Sequence, residues 1–139
     1  MAKMIRATGF GKYANEYIPN VEKNLVGIIQ IETPNALQNI ETIAATEGVD
    51  VLFVGPNDLS LSLGIFGQIK HPLYQQAIQN VAKAAKDHGK ATGVLLQDIT
   101  EYEMYYELGY RFLACGGDSA FVRKGAEDLV KTMNEKARR

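Results

Sequence analysis

Two carboxylates stand just past the ends of short apolar runs. Glu32 closes the segment LVGIIQIET at residues 25–33, and Asp58 follows the second run within VDVLFVGPNDLS at residues 49–60. In α/β proteins, acidic side chains at the carboxyl ends of parallel strands, beside a Gly-Pro turn, are well placed to hold a divalent metal. Hard cations such as Mg²⁺ are commonly bound by one or two carboxylates, with water and substrate oxygens filling the other positions. If strands one and two are neighbours, Glu32 and Asp58 reach the same rim. The competing reading is that Glu32 caps the helix after Pro34 and that Asp58 stabilises a turn.

Residues around the pair add to the chemistry. Gly55, Pro56 and Asn57 lead into Asp58, so the backbone amides there can face an anionic carboxylate or phosphate. Gln30 points to the side of its strand opposite Ile31 and can donate an amide hydrogen bond to a ligand or satisfy neighbouring backbone. His71 and His88, the two histidines of the chain, sit in a loop before Pro72 and at a helix end, which favours structural roles. Cys115 is expected to be a buried, inert thiol, and Asp118 to cap the last helix. Tyr102, Tyr105 and Tyr106 fall on one helix and are expected to pack or to mediate an interface.

The elements that must position these residues follow from patterning. Four apolar runs, at residues 25–31, 49–54, 90–96 and 110–115, read as continuously buried strands of a parallel sheet. Segments of helical period lie between and after them, at residues 35–47, 73–88, 99–108 and 118–138. Pro34 is suited to start the first helix, Thr100 to cap the third, and Gly48, Gly89 and Gly109 to end the helices before them. Residues 1–24 read as a lead-in loop with a short helix, 25–117 as four β-α units and 118–139 as a final helix, together one domain. The connection at residues 55–72 is polar and glycine-containing, which marks a functional loop. A closed (β/α)₈ barrel takes about 250 residues, so a four-unit chain needs something to cover its sheet edges.

Composition narrows the function classes. The chain has 139 residues, 46% hydrophobic and 22% charged, with a formal net charge of −1. That balance gives no electrostatic reason to expect nucleic acid or an anionic membrane as partner. A single cysteine rules out an internal disulfide, and no apolar stretch reaches the ~18 residues of a membrane span. A cytoplasmic location is the expectation.

Taken together, QIET at residues 30–33, GVDVLFVGPNDLSLSLG at 48–64, the following His71-Pro72, and the GKATGVLL and GYRFLACGGD segments resemble the HpcH/HpaI family of class II pyruvate aldolases. The resemblance runs in order over nearly the whole chain and implies the carboxyl-terminal half of a TIM barrel. It implies a divalent metal (Mg²⁺, Mn²⁺ or Co²⁺) on Glu32 and Asp58, and a 2-oxo acid such as pyruvate chelating it. Gln30 would lie beside both, and the amides from Gly55 to Asp58 would receive the substrate carboxylate. The implied reaction is cleavage of a 2-oxo-4-hydroxy acid to pyruvate and an aldehyde. The histidine-containing base and the arginine that polarises the keto oxygen are expected in the amino-terminal half, and neither His71, His88 nor Arg6 matches them. The resemblance also implies a homo-oligomer in which the final helix is exchanged between subunits. A second expectation, of a different class, is a catalytically incomplete half-barrel that acts as a binding or assembly module.

Overall fold

The computed structural model describes residues 4–138. Four parallel strands, β1 (Ile28–Ile31), β2 (Val51–Val54), β3 (Ala91–Leu96) and β4 (Phe112–Cys115), form one sheet in the order of the sequence. The register aligns Ile31 with Val54, Val54 with Val94 and Leu96 with Cys115, so the strand exits share one rim. Seven α-helices accompany them: α1 (Ala14–Asn20), α2 (Pro34–Gln38), α3 (Ile40–Ala45), α4 (Pro56–Ser62), α5 (Pro72–Asp87), α6 (Tyr102–Glu107) and α7 (Asp118–Ala137).

The core lies between one face of the sheet and the helices. Ile31, Leu52, Val54 and Val94 are fully buried there, against Tyr74, Ile78, Val81 and Ala84 of α5. The buried positions of α5 recur three and four residues apart, the stripe that a core-facing helix requires. Each large side chain so buried contributes about 1.5–3 kcal/mol of hydrophobic stabilisation.

The opposite face of the sheet is open. Ile28, Leu95 and Phe112 are 42%, 44% and 45% exposed, so the expectation of strands buried on both faces holds for β2 and fails for the flanking strands. Such a face is normally covered, and in a closed barrel the facing strands do so. On this face the Phe53 and Phe112 rings meet edge to face, 5.7 Å between centroids, over Gly93. Any β-carbon at Gly93 would stand 2.6 Å from the Phe53 ring. Cys115, expected to be buried, is exposed for a related reason: it ends an edge strand with no further strand beside it.

Several boundaries differ from the periodicity. The first helix, expected unbroken over residues 35–47, divides into α2 and α3 at Asn39. The Asn35 carbonyl accepts there from both the Asn39 backbone N–H at 3.1 Å and the Asn39 side chain at 2.8 Å, a local turn that marks the end of α2. The functional loop expected at residues 55–72 contains α4, with Pro56 at its first position. Asp98, not Thr100, is the cap before α6, its Oδ1 accepting the Thr100 N–H at 2.8 Å. Gly117 is the N-cap residue of α7, and Asp118 is its first helical residue. Gly48, Gly89 and Gly109 have φ of 82°, 66° and 94°, the left-handed turn that ends a helix with little cost only at glycine.

Helix α7 buries none of its residues, and Phe121, Val122, Leu129, Val130 and Met133 are all exposed. A stripe of this kind in a 20-residue helix calls for a covering surface, and among the described residues none lies over it. Among the described residues, no helix is long and apolar enough to cross a membrane.

Candidate active-site cleft at the strand exits

Glu32 leaves β1 directly, and it does not cap the helix that follows. That role belongs to Thr33, whose Oγ1 accepts the Ala36 N–H at 3.1 Å, with Pro34 in the first turn. The Glu32 backbone is fixed from the other side, because the Ser62 hydroxyl donates to its carbonyl at 2.8 Å. The end of α4 is thereby tied to the end of β1, and the Glu32 carboxylate is left for other uses.

Asp58 lies in the first turn of α4, which starts straight from β2 through Gly55. A carboxylate there is favoured by the unpaired N–H groups of the helix start. Gly55 stands between the two acids. A β-carbon on it would lie 3.1 Å from Glu32 Oε2 and 3.7 Å from Asp58 Oδ2. The carboxylates therefore converge on one spot at one rim, and the absence of a side chain at Gly55 keeps that spot clear. Among the described residues neither carboxylate has a salt bridge or a hydrogen-bond partner. Two carboxylates that flank one glycine with no cationic partner are a pair that could hold a cation.

Asp58 borders a cleft of about 380 Å³. Gln30 enters it from β1, on the sheet face opposite the buried Ile31, as the alternation of the strand requires. Gly55, Pro56, Asn57 and Asp58 form a second wall, so the residues singled out from the sequence as binding groups are gathered at one site. Glu32 stands beside Gly55, outside that lining.

The other walls went unnoticed in the sequence. Phe53 lines the cleft from β2, Leu95 and Gln97 from the end of β3, and Gly116 from beyond β4. Gln97 Nε2 donates to Asn57 Oδ1 at 2.6 Å, and the Gln97 backbone N–H donates to Glu101 Oε2 at 3.2 Å. The signal was present: Gln97 is the first polar residue past the third apolar run, just as Glu32 is past the first. Beside it, the Thr100 backbone N–H holds the Asp98 carboxyl below its usual range. Asp98 is thus committed to its cap.

The histidines lie away from this chemistry. His71 caps α5, its Nδ1 accepting the Leu73 N–H at 3.2 Å, and His88 Nε2 lies 3.0 Å from Glu41 Oε2. Tyr105 is buried and shares a 2.7 Å hydroxyl hydrogen bond with Tyr74, while Tyr102 and Tyr106 stack on the surface. Among the described residues, no group of three or more His, Cys, Asp or Glu side chains could enclose a metal. Glu32 and Asp58 by themselves could hold only a cation that draws its other ligands from water or a bound molecule.

The chain resembles known proteins in sequence and fold. The chain is 39% identical over 130 residues to 5-keto-4-deoxy-D-glucarate aldolases of Shigella boydii and Escherichia coli, which covers 94% of this chain and 50% of theirs. It thus spans about half the length of the curated relatives it matches. An HpcH/HpaI aldolase/citrate lyase family protein of Burkholderia cenocepacia superposes with a TM-score of 0.86 at 34% identity, over 96% of this chain and 52% of that one. An HpcH/HpaI aldolase of Desulfitobacterium hafniense superposes with a TM-score of 0.78 at 32% identity, over 87% of this chain and 47% of that one. The four parallel β-α units are accordingly half of a barrel whose solved examples are about twice as long. With a match to the family pattern that runs over residues 2–136, this chain belongs to the HpcH/HpaI aldolase/citrate lyase family.

Proposed function

We propose that this chain is the metal-binding half of a class II aldolase that cleaves 2-oxo-4-hydroxy acids to pyruvate and an aldehyde. The observation that carries the reading is the convergence of two unpaired carboxylates, Glu32 and Asp58, on the open side of Gly55. Glu32 and Asp58 would hold Mg²⁺, Mn²⁺ or Co²⁺. A bound divalent cation would supply positive charge against the charge that develops on the oxygen of the 2-oxo acid.

The residues of the chain take distinct parts. Gln30 sits on the cleft floor, where its amide is available to orient the oxo acid. The N–H groups at the start of α4 stand beside Asn57 and Asp58 and suit a carboxylate. Phe53 and Leu95 present apolar surface that limits water on the opposite wall. No histidine or arginine of the described residues lines this cleft, and the reading assigns the proton-transfer groups of the complete enzyme to its other half.

Calorimetry with Mn²⁺ tests the assignment. The chain is expected to bind one ion, and Glu32→Ala and Asp58→Ala each to abolish binding; variants that keep the original affinity remove these residues as ligands. A second reading is favoured by the open sheet face with Ile28, Leu95 and Phe112. In it, the chain is a half-barrel module that binds metal or a partner chain without turnover. Metal-dependent decarboxylation of oxaloacetate by the purified chain would eliminate that second reading.

A further inference from the structure

Gln97 is the first residue past β3, and its two hydrogen bonds tie separate parts of the cleft together. Its side-chain N–H donates to Asn57 Oδ1 at 2.6 Å, from the exit of β3 to the first turn of α4. Its backbone N–H donates to Glu101 Oε2 at 3.2 Å, which anchors the same segment to the turn before α6. Both Asn57 and Gln97 line the cleft that holds Asp58.

The first bond has a directional consequence. A side-chain amide has one acceptor end and one donor end. With Oδ1 of Asn57 taken by Gln97, the end that remains is the NH₂ group, which has no hydrogen-bond partner among the described residues. Donors beside two carboxylates suit the oxygens of an anionic ligand, whereas a reversed amide would add a third partial negative charge to the site.

We propose that Gln97 is a positioning residue: it locks Asn57 as a hydrogen-bond donor toward the carboxylate of a bound 2-oxo acid. The proposal rests on the aldolase reading of this cleft and adds to it a residue that selects for an anionic ligand. Gln97 acts through Asn57, so its contribution vanishes when Asn57 is absent.

A double-mutant cycle on the Mn²⁺-loaded chain, with pyruvate as the probe, tests it. Gln97→Met removes the donor without adding charge, and it is expected to weaken pyruvate binding about 3- to 10-fold, the range for one hydrogen bond. In the Asn57→Ala background the same change is expected to do nothing, while Mn²⁺ affinity stays within about twofold throughout. A Gln97→Met effect that persists without Asn57, or pyruvate binding that Gln97→Met leaves intact, overturns the proposal. So does a metal-loaded chain that does not bind pyruvate.

A second measurement needs neither metal nor ligand. In the metal-free chain, the Asn57 side-chain NH₂ is expected to be ordered by NMR relaxation and to become mobile in Gln97→Met. Equal mobility in both overturns the Gln97–Asn57 coupling. Failure of the aldolase reading is seen separately, as Mn²⁺ affinity that ignores Glu32→Ala and Asp58→Ala.

Discussion

Gly55→Ala separates the acid pair from the stability of the fold. Gly55 has φ −94° and ψ 97°, at the border of the extended region that alanine enters freely and that the following proline favours. At such a site Gly→Ala stabilises by about 0.4–1 kcal/mol through the unfolded chain. Against this stands the contact of the new methyl with Glu32 Oε2 at 3.1 Å, a few tenths of an ångström inside ordinary van der Waals separation. Glu32 has no side-chain bond to break among the described residues, so it yields by rotating. The net change in stability is expected within about 1 kcal/mol, or roughly 3–5 °C in thermal midpoint for a chain of this size.

Ligation responds differently. Oxygens bind a Mg²⁺-sized ion at about 2.0–2.1 Å, and the alanine methyl would stand 3.1 Å from Glu32 Oε2 and 3.7 Å from Asp58 Oδ2, crowding any ion the two share. Even residues that only orient a ligand cost about 10–100-fold in metal affinity when changed. Mn²⁺ affinity of Gly55→Ala, measured by calorimetry, is therefore expected to fall at least about tenfold while the melting curve barely moves. A folded Gly55→Ala variant that binds Mn²⁺ as tightly as the parent would refute convergence on a shared ion.

Two further outcomes follow from the tyrosine cluster. Tyr74→Phe leaves the buried Tyr105 hydroxyl without its 2.7 Å partner, so it is expected to cost about 1–3 kcal/mol in urea unfolding. Tyr74→Phe with Tyr105→Phe should be less harmful than the single change, because no hydroxyl is then stranded. Burial above all pushes the hydroxyls of Tyr74, Tyr105 and Tyr110 above their usual range, so they hold their protons in the folded chain. In the unfolded chain tyrosine ionises near pH 10, so this contribution is complete below about pH 10 and is lost as pH rises through the folded values. Stability measured by urea unfolding should fall above about pH 10, and less steeply in the double phenylalanine variant.

The strands and the ends of the helices were legible because each depends on local chemistry. Runs such as VLFV at residues 51–54 are apolar without alternation, which only a strand buried in a parallel sheet requires. Glycine at positions 48, 89 and 109 is needed where a helix ends in the left-handed region. Glu32 and Asp58 stand out because they are the first acids beyond those runs. The same logic misjudged Cys115 and the outer strands, since an apolar run looks the same whether or not a neighbouring strand covers it. It also missed the break at Asn39, where the helix divides into α2 and α3.

The tertiary structure alone decided which polar groups meet. Gln97 and Asn57 are forty residues apart in the chain, and their hydrogen bond exists because β2 and β3 pair in a register that brings both exits to one rim. Whether Glu32 caps a helix or faces Asp58 was likewise open until Thr33 was seen to hold the cap. Local patterning dictates the elements because burial and backbone geometry act over a few residues. The company each side chain keeps depends on strand register, which no single segment contains.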